Sequence, residues 1–320
     1  RIAGPTQTMA LQSACCSGLD AIGHASLKIA SGEAEIAICG GTEAPLYFHP
    51  MLELKMAGLA PDTAEMPERM CRPFDLWRTT GVISEGACFF VLEPDESPRE
   101  AIAYLDGYAY ATDPVEQSVA GLKEAIKLAL ANGGRRTSEV ECINAWGPGH
   151  KLVDRAEAQV LAEVFGDQLA EIPSVSIKGA LGNPLGAAGA IQAGVAALGL
   201  REGFIPPTVN WQHPDPDCSL NLSGQCRAIA HDVTLVNSHG LSVGCFSGTR
   251  RGLCCALGQP ETRNQSRILF GVDPCGAVAA LLGTGDLSGG RIVLAADGDP
   301  GRRFHSFSSL GHQRSGSRHL

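Results

Sequence analysis

No stretch of this sequence carries about 18 apolar residues in a row, so no membrane-spanning helix is expected. Metal-ligand spacing is missing as well. The chain has 12 cysteines, yet none stands in a C-x-x-C pair or a comparable pattern, and no metal site is expected. No secretory leader pattern occurs either, so the thiols are expected to be reduced and the protein cytoplasmic. Positive charge is in short supply. A net charge of −9 argues against a broad nucleic-acid-binding face and suits small or acylated substrates. Short tandem repeats are absent, which sets aside a solenoid. The glycines of "GALGNPLGAAGA" lack the G-x-x-x-x-G-K-[ST] spacing of a phosphate loop and read as a helix start that permits close packing.

What is present is an alternation of strands and helices in 320 residues that are 44% hydrophobic, enough for one large domain or two smaller ones. Residues 8–14 read as a strand and 17–31 as a helix, with Leu19, Ile22 and Ile29 at helical spacing. "EIAICGG" is a continuous apolar run of the kind that suits a strand buried on both faces. "GACFFVLE" and "AIAYLDGYAYAT" read as consecutive strands, and 116–132 as an amphipathic helix stopped by Gly133 and Gly134. "VECINAW", "SVSIKG" and "DVTLVNSHG" read as further strands, with helices over 153–165 and 186–202. This is a layered α/β pattern.

The ends differ from the middle. The chain enters at Arg1 directly on "RIAGPTQTMALQSACC", which reads as a start inside a domain. Residues 244–320 hold nine Lys+Arg against five Asp+Glu and are rich in Gly and Ser, which predicts a basic, poorly ordered tail. Within it, "GRIVLAADGD" could form a strand.

Two adjacent cysteines, Cys15 and Cys16, stand just ahead of the helix predicted over 17–31. A thiol at a helix N-terminus faces the positive end of the helix dipole, which favours thiolate. The plain alternative is a pair of buried thiols.

"SACCSGLDAIGHA", "GEAEIAICGGTEA", "RPFD", "GACFFVLE", "INAWG", "DRAEAQ", "SIKGALGNPLGAAGA", "IPPTVN" and "NSHG" follow one another in the order and spacing of a known family. Over residues 4–242 the chain resembles the later part of the elongating β-ketoacyl-acyl-carrier-protein synthases. The resemblance implies a thiolase-like layered α/β/α/β/α fold with an incomplete first half. Residues 1–112 would be the remainder of the N-terminal half and 113–243 the C-terminal half, ahead of the 244–320 tail. It also implies that the nucleophile is Cys15 and that Cys16 points away. Gly18 would let the backbone pack closely at that point. The oxyanion hole would be the backbone N–H groups of Cys15 and His239.

Three positions depart from that pattern. The resemblance implies one histidine where Trp146 stands and a second where Asn183 stands, both serving malonyl decarboxylation, and a phenylalanine where His239 stands. Asn183 can donate to an enolate oxygen, as in related initiating synthases. The indole N–H of Trp146 donates but cannot accept or shuttle a proton. His239 could bring an imidazole near Cys15; otherwise it is a turn histidine with a satisfied hydrogen bond. Lys178 and Glu85 match positions of a charged pair or polar support under the site, and Glu157 acts at one remove.

The implied function is acyl transfer from a carrier-protein thioester to Cys15, then condensation with a malonyl carrier thioester in fatty acid or polyketide synthesis. Without the histidine, transfer to an alcohol or amine is an alternative second step. No tightly bound cofactor is implied; the phosphopantetheine arm of the acyl carrier protein brings the substrate. The implied partners are that carrier protein and a second ketosynthase chain, in a homodimer or heterodimer. A runner-up is a catalytically impaired paralogue, like a chain-length factor, that pairs with an active synthase. A third reading takes "GLSVG" at 240–244 as a nucleophile elbow with Asp273 and His305, although no good helix follows it.

Overall fold

The alternation forms largely as read. The computed structural model describes residues 7–62, 66–113 and 119–240 and, as backbone alone, 251–258 and 266–269. In its first part the elements are α1 Ser17–Ala30, β1 Ala37–Glu43, α2 Phe48–Met56, β2 Gly86–Pro94, β3 Ala103–Thr112 and α3 Ala120–Asn132. There follow β4 Cys142–Asn144, α4 Lys151–Phe165, β5 Ser174–Val175, α5 Lys178–Leu181, α6 Ala188–Glu202 and β6 Val233–Gly240. β7 Arg251–Gly258 and β8 Ser266–Leu269 complete the set. All belong to one unit, residues 1–270. The strand expected in "GRIVLAADGD", the elbow at 241–244, and Asp273 and His305 lie outside the described residues.

The strands join one mixed sheet in the order β1-β2-β8-β3-β7-β6-β4-β5. β4 runs parallel to β5 and β6, and the other described pairs are antiparallel. From Ala188 to Leu200 every residue of α6 is buried except Val195 and Leu198, which are half-buried. A helix covered all round belongs in an interior layer. α6 touches both β2 and β6, strands four steps apart in the sheet, about 19 Å if it were flat. α6, about 22 Å long, spans that width beside α1. Leu19, Ile22, Ala190, Ala193, Leu92 and Val236 form the core on that side. α3 and α4 cover the opposite face with Leu122, Ile126, Leu161 and Phe165, against Ile143 and Leu235.

Alternation along the strands divides the two cores. Leu235 faces one and its neighbour Val236 the other. In β3 the register slips between Leu105 and Gly107, which leaves Asp106 as an extra, bulged residue. Before the bulge Ala103 and Leu105 face the α1–α6 core; after it Tyr108 does, while Ala109 joins the other. A Cβ on Gly107 would lie 2.2 Å from the Ala129 oxygen, so the bulge also lets α3 lie against the strand backbone. The bulged Asp106 carboxylate takes Arg135 at 2.8 Å.

Several elements differ from the sequence reading. Residues 8–14 form no strand; among the described residues they make only an isolated bridge, Ser13 to Cys15, where the left-handed Ala14 turns the chain. "SVSIKG" keeps two strand residues before Lys178 opens a helical turn, with Gly182 N–H closing on the Lys178 carbonyl at 2.8 Å. α2 was not anticipated: it buries none of its residues and so shows no one-sided apolar pattern. In the stretch expected to be poorly ordered, "RGLCCALG" and "SRIL" are strands β7 and β8. The Gly, Ser and Arg content averaged over that stretch hides these short apolar runs.

Candidate active site

Cys15 stands in a tight turn that delivers the chain into α1. Ala14, just before it, has φ +52°, a left-handed conformation that costs a non-glycine residue about 1–2 kcal/mol. Ser17 fixes that turn: its Oγ accepts from the Ser13 N–H at 3.0 Å and donates to the Ala14 carbonyl at 2.7 Å. The result holds Cys15 half-exposed at the head of the helix and Cys16 fully buried. Burial, with the charge of Cys15 added to it, pushes the Cys16 thiol well above its ordinary value. Cys16 is an inert core residue.

The turn can sit here because glycines let the backbones close. A Cβ on Gly18 would lie 2.9 Å from the Gly186 oxygen, and one on Gly41 would lie 2.9 Å from the Gly18 Cα. The small-residue start of α6 is thus the close-packing device expected of "GALGNPLGAAGA". From the other side the end of β6 runs past the turn. Ser238 Oγ donates to the Cys15 carbonyl at 3.2 Å, and a Cβ on Gly240 would meet the Ser13 oxygen at 3.1 Å.

Trp146, 1% exposed, follows β4 and is held by its backbone. Glu157 of α4 accepts from the N–H groups of Trp146 and Gly147, both at 2.8 Å, and from Asn237 Nδ2 at 3.1 Å. The ammonium of Lys178 donates to the Trp146 carbonyl and, at 3.3 Å, to Gln192 Oε1. Burial lowers the Lys178 pKa to about 8 from an ordinary 10.5, while the charges of Glu157 and Cys15 pull it back up. Of the carboxylates, Glu157 acts most strongly on Lys178, ahead of Asp154. Glu85 is exposed and accepts from the Leu46 N–H at 3.1 Å instead.

His239 is fully buried and its Nε2 meets Asp113 Oδ2 at 2.8 Å. Asp113 also accepts from the N–H groups of Val119 and Gly121, at 2.8 and 2.7 Å. Burial alone would raise the Asp113 pKa, but His239 and the two amides outweigh it and hold the carboxyl below its ordinary value. The His239 and Trp146 rings touch, with centroids 4.9 Å apart. Trp146 Nε1 and His239 Nδ1 are both buried without a hydrogen-bond partner. Asn183, between α5 and α6, bonds through its backbone to Val82 and Ser84, and its Oδ1 has no partner.

Contacts therefore link Lys178, Trp146, Glu157 and His239 into one cluster, Cys15 is tied to the neighbouring Ser238 through its carbonyl, and Asn183 is placed by the Val82–Ser84 segment. This half-exposed cysteine and the buried lysine and glutamate that hold the Trp146 backbone belong to a fold that can be compared as a whole. Residues 2–97 match the family described as Beta-ketoacyl synthase, N-terminal domain, and residues 102–212 match Beta-ketoacyl synthase, C-terminal domain. The chain belongs to the β-ketoacyl synthase family. The tetracenomycin polyketide synthase ketoacyl synthase alpha subunit of Streptomyces glaucescens is 35% identical over 65% of this chain and 51% of its own length. The 3-oxoacyl-[acyl-carrier-protein] synthase 2 of Rhizobium meliloti (strain 1021) is 32% identical over 79% of this chain and 61% of its own length. The chain thus spans between about half and three-fifths of the curated relatives it matches.

Among solved structures, a type II polyketide synthase ketosynthase, in complex with its acyl-carrier protein and bound to the hexaketide, superposes with TM-score 0.72 at 28% identity. That match covers 78% of this chain and 62% of the other. The ishigamide ketosynthase/chain length factor superposes with TM-score 0.68 at 31% identity, over 78% of this chain and 60% of the other. The thiolase-like fold of these synthases is the fold of this chain. Among the described residues no helix is long and apolar enough to cross a membrane.

Two residues of the cluster escaped the sequence reading. Asp113 is 126 positions from its partner His239 and stands in an ordinary "TDPV" sequence. Gln192, inside a helix of small residues, ties Ala145 and Asn237 together through its Nε2, at 2.9 and 3.1 Å. A lone glutamine in that apolar run was the available signal.

Proposed function

We propose that this chain is a β-ketoacyl synthase-like acyltransferase in which Cys15 takes an acyl group from the phosphopantetheine arm of an acyl carrier protein. Condensation with a malonyl carrier thioester, in fatty acid or polyketide synthesis, is the second step of this reading. The observation that carries it is the Cys15 turn: a half-exposed thiol at the head of α1, held by Ser17 and by the left-handed Ala14. The backbone N–H groups of Cys15 and His239 form the oxyanion hole. The contacts of Ser238 and Gly240 with residues 13–15 support that role. Loss of one such donor costs about 10²–10³ in rate.

Lys178 holds the Trp146 backbone, and the amide of Asn183 and the indole N–H of Trp146 stand as donors for the malonyl thioester oxygen. Residues 1–112 and 113–243 act as the two halves of the synthase, and a second ketosynthase chain, identical or not, pairs with them. The second reading is an impaired, chain-length-factor-like subunit of such a pair. It is favoured by Trp146, whose indole cannot shuttle a proton.

Incubation with an octanoyl carrier thioester, followed by peptide mass spectrometry, separates the two. The enzyme reading expects an octanoyl adduct on Cys15 that Cys15→Ala abolishes. Folded protein that takes no adduct supports the subunit reading.

A further inference from the structure

Beside the paired starts of β4 and β6 lies a cavity of about 10 Å³, walled by Cys142 and Asn144 of β4, Thr234 of β6, Val195 and Gly199 of α6, and His231. Strand register builds that wall. Cys142 stands opposite Thr234 in the parallel ladder, and alternation sends Thr234 to the side of Val236, which packs with α6. A space of this size takes one water molecule if polar partners meet there.

Thr234 is the first such partner. It is 1% exposed, and its Oγ1 finds no hydrogen bond among the protein's own groups. A buried hydroxyl left in that state carries its full desolvation cost. His231 is the second. Its Nδ1 meets the Ile229 carbonyl at 3.1 Å, and a carbonyl only accepts, so Nδ1 holds the ring proton. Nε2 of the neutral ring is then an acceptor. A Cβ on Gly199 would lie 3.7 Å from His231 Cε1 and 3.9 Å from Nε2, so that edge of the ring faces the α6 wall of the cavity. Asn144 is already committed: its Oδ1 accepts from Gln192 Nε2 and its Nδ2 donates to the Gln192 carbonyl, both at 3.2 Å. Cys142 remains a thiol, because burial pushes it up to about 12 against a smaller pull from Thr234.

We propose that this cavity is the binding site of a single water molecule, which accepts from the Thr234 hydroxyl and donates to His231 Nε2. The water joins β6 to the chain segment that enters it, under the last turns of α6. It closes the seam between the sheet and that helix, and it does so whether or not Cys15 carries an acyl group.

Thr234→Val keeps the shape of the side chain and removes its hydroxyl, and the sign of its effect decides. With water bound, the variant strips the water of a partner, and the folding constant of the full chain in urea unfolding falls about fivefold. In a dry cavity the same variant removes an orphan and the constant rises, which overturns the proposal. A bridging water also makes the two residues one unit. The double variant Thr234→Val/His231→Phe should then lose about threefold less than the product of the two single losses. Losses that simply multiply overturn the bridge. A high-resolution crystal structure of the wild-type chain gives the direct reading: density about 2.7–3.2 Å from both Thr234 Oγ1 and His231 Nε2 is expected. A cavity without density, with the Thr234 hydroxyl turned onto Cys142 Sγ, overturns the site.

Discussion

The turn at Cys15 and the loop at Trp146 lie against the same strand end, yet they are built from different material. Around Cys15 the essential parts are backbone and small residues: the Ala14 turn, the Ser17 bonds and the Gly18–Gly41–Gly186 contact. Around Trp146 they are side chains: Glu157, the Lys178 ammonium and the His239–Asp113 contact. Backbone donors survive any substitution that keeps the path of the chain, whereas a proton carrier vanishes with one side chain. Under the proposed function, acyl loading rests on the first kind of material and the step after it on the second.

The sharpest way to break that comparison is at the nucleophile. Cys15→Ala is expected to abolish the acyl adduct, while Cys16→Ala retains it and lowers stability by about 1 kcal/mol in urea unfolding. Equal loss in both would mean that the turn does not distinguish the two thiols. Gly18→Val comes next. Its side chain must displace the Gly186 carbonyl or the α6 backbone, at a cost of about 1–3 kcal/mol in unfolding free energy. Loading should fall with it, since α1 no longer seats.

On the other side, Trp146→His returns an imidazole to the loop. Carbon dioxide release from a malonyl carrier thioester should rise about tenfold, the worth of one hydrogen bond to a charged group. No rise would show that one residue does not separate the two regions. The smallest effect concerns Lys178. Its pKa is about 8 folded and near 10.5 unfolded, so between these pH values the unfolded chain binds more protons and stability rises with pH. Lys178→Met should flatten that rise in urea titrations at pH 8 and 10.

Much of this architecture could be read from local pattern. α1 shows its face through Leu19, Ile22 and Ile29, and α3 through Leu122, Ala125, Ile126, Ala129 and Leu130. Cys15 was legible because a helix start and an ordered set of motifs coincided there. The Asp113–His239 contact was not, since neither residue carries a local signal of the other and only the fold joins them. The stretch over residues 8–14 failed for the same reason in reverse: a strand-like pattern has no meaning until a partner strand exists. Glu85 and Glu157 were both candidates for support under the site. Only burial separates them, one exposed and the other fully enclosed.

The bulge at Asp106 gives β3 something like a reading frame. Upstream and downstream of it, odd and even positions exchange sides, so one strand serves two cores. Ironing the bulge out with Asp106 kept in the ladder would leave every letter of the strand intact and yet garble it. Tyr108, whose hydroxyl reaches Asp20 of α1, would turn to the wrong core, and Ala109 would take its place. Along this strand the spacing of the residues matters more than their identity.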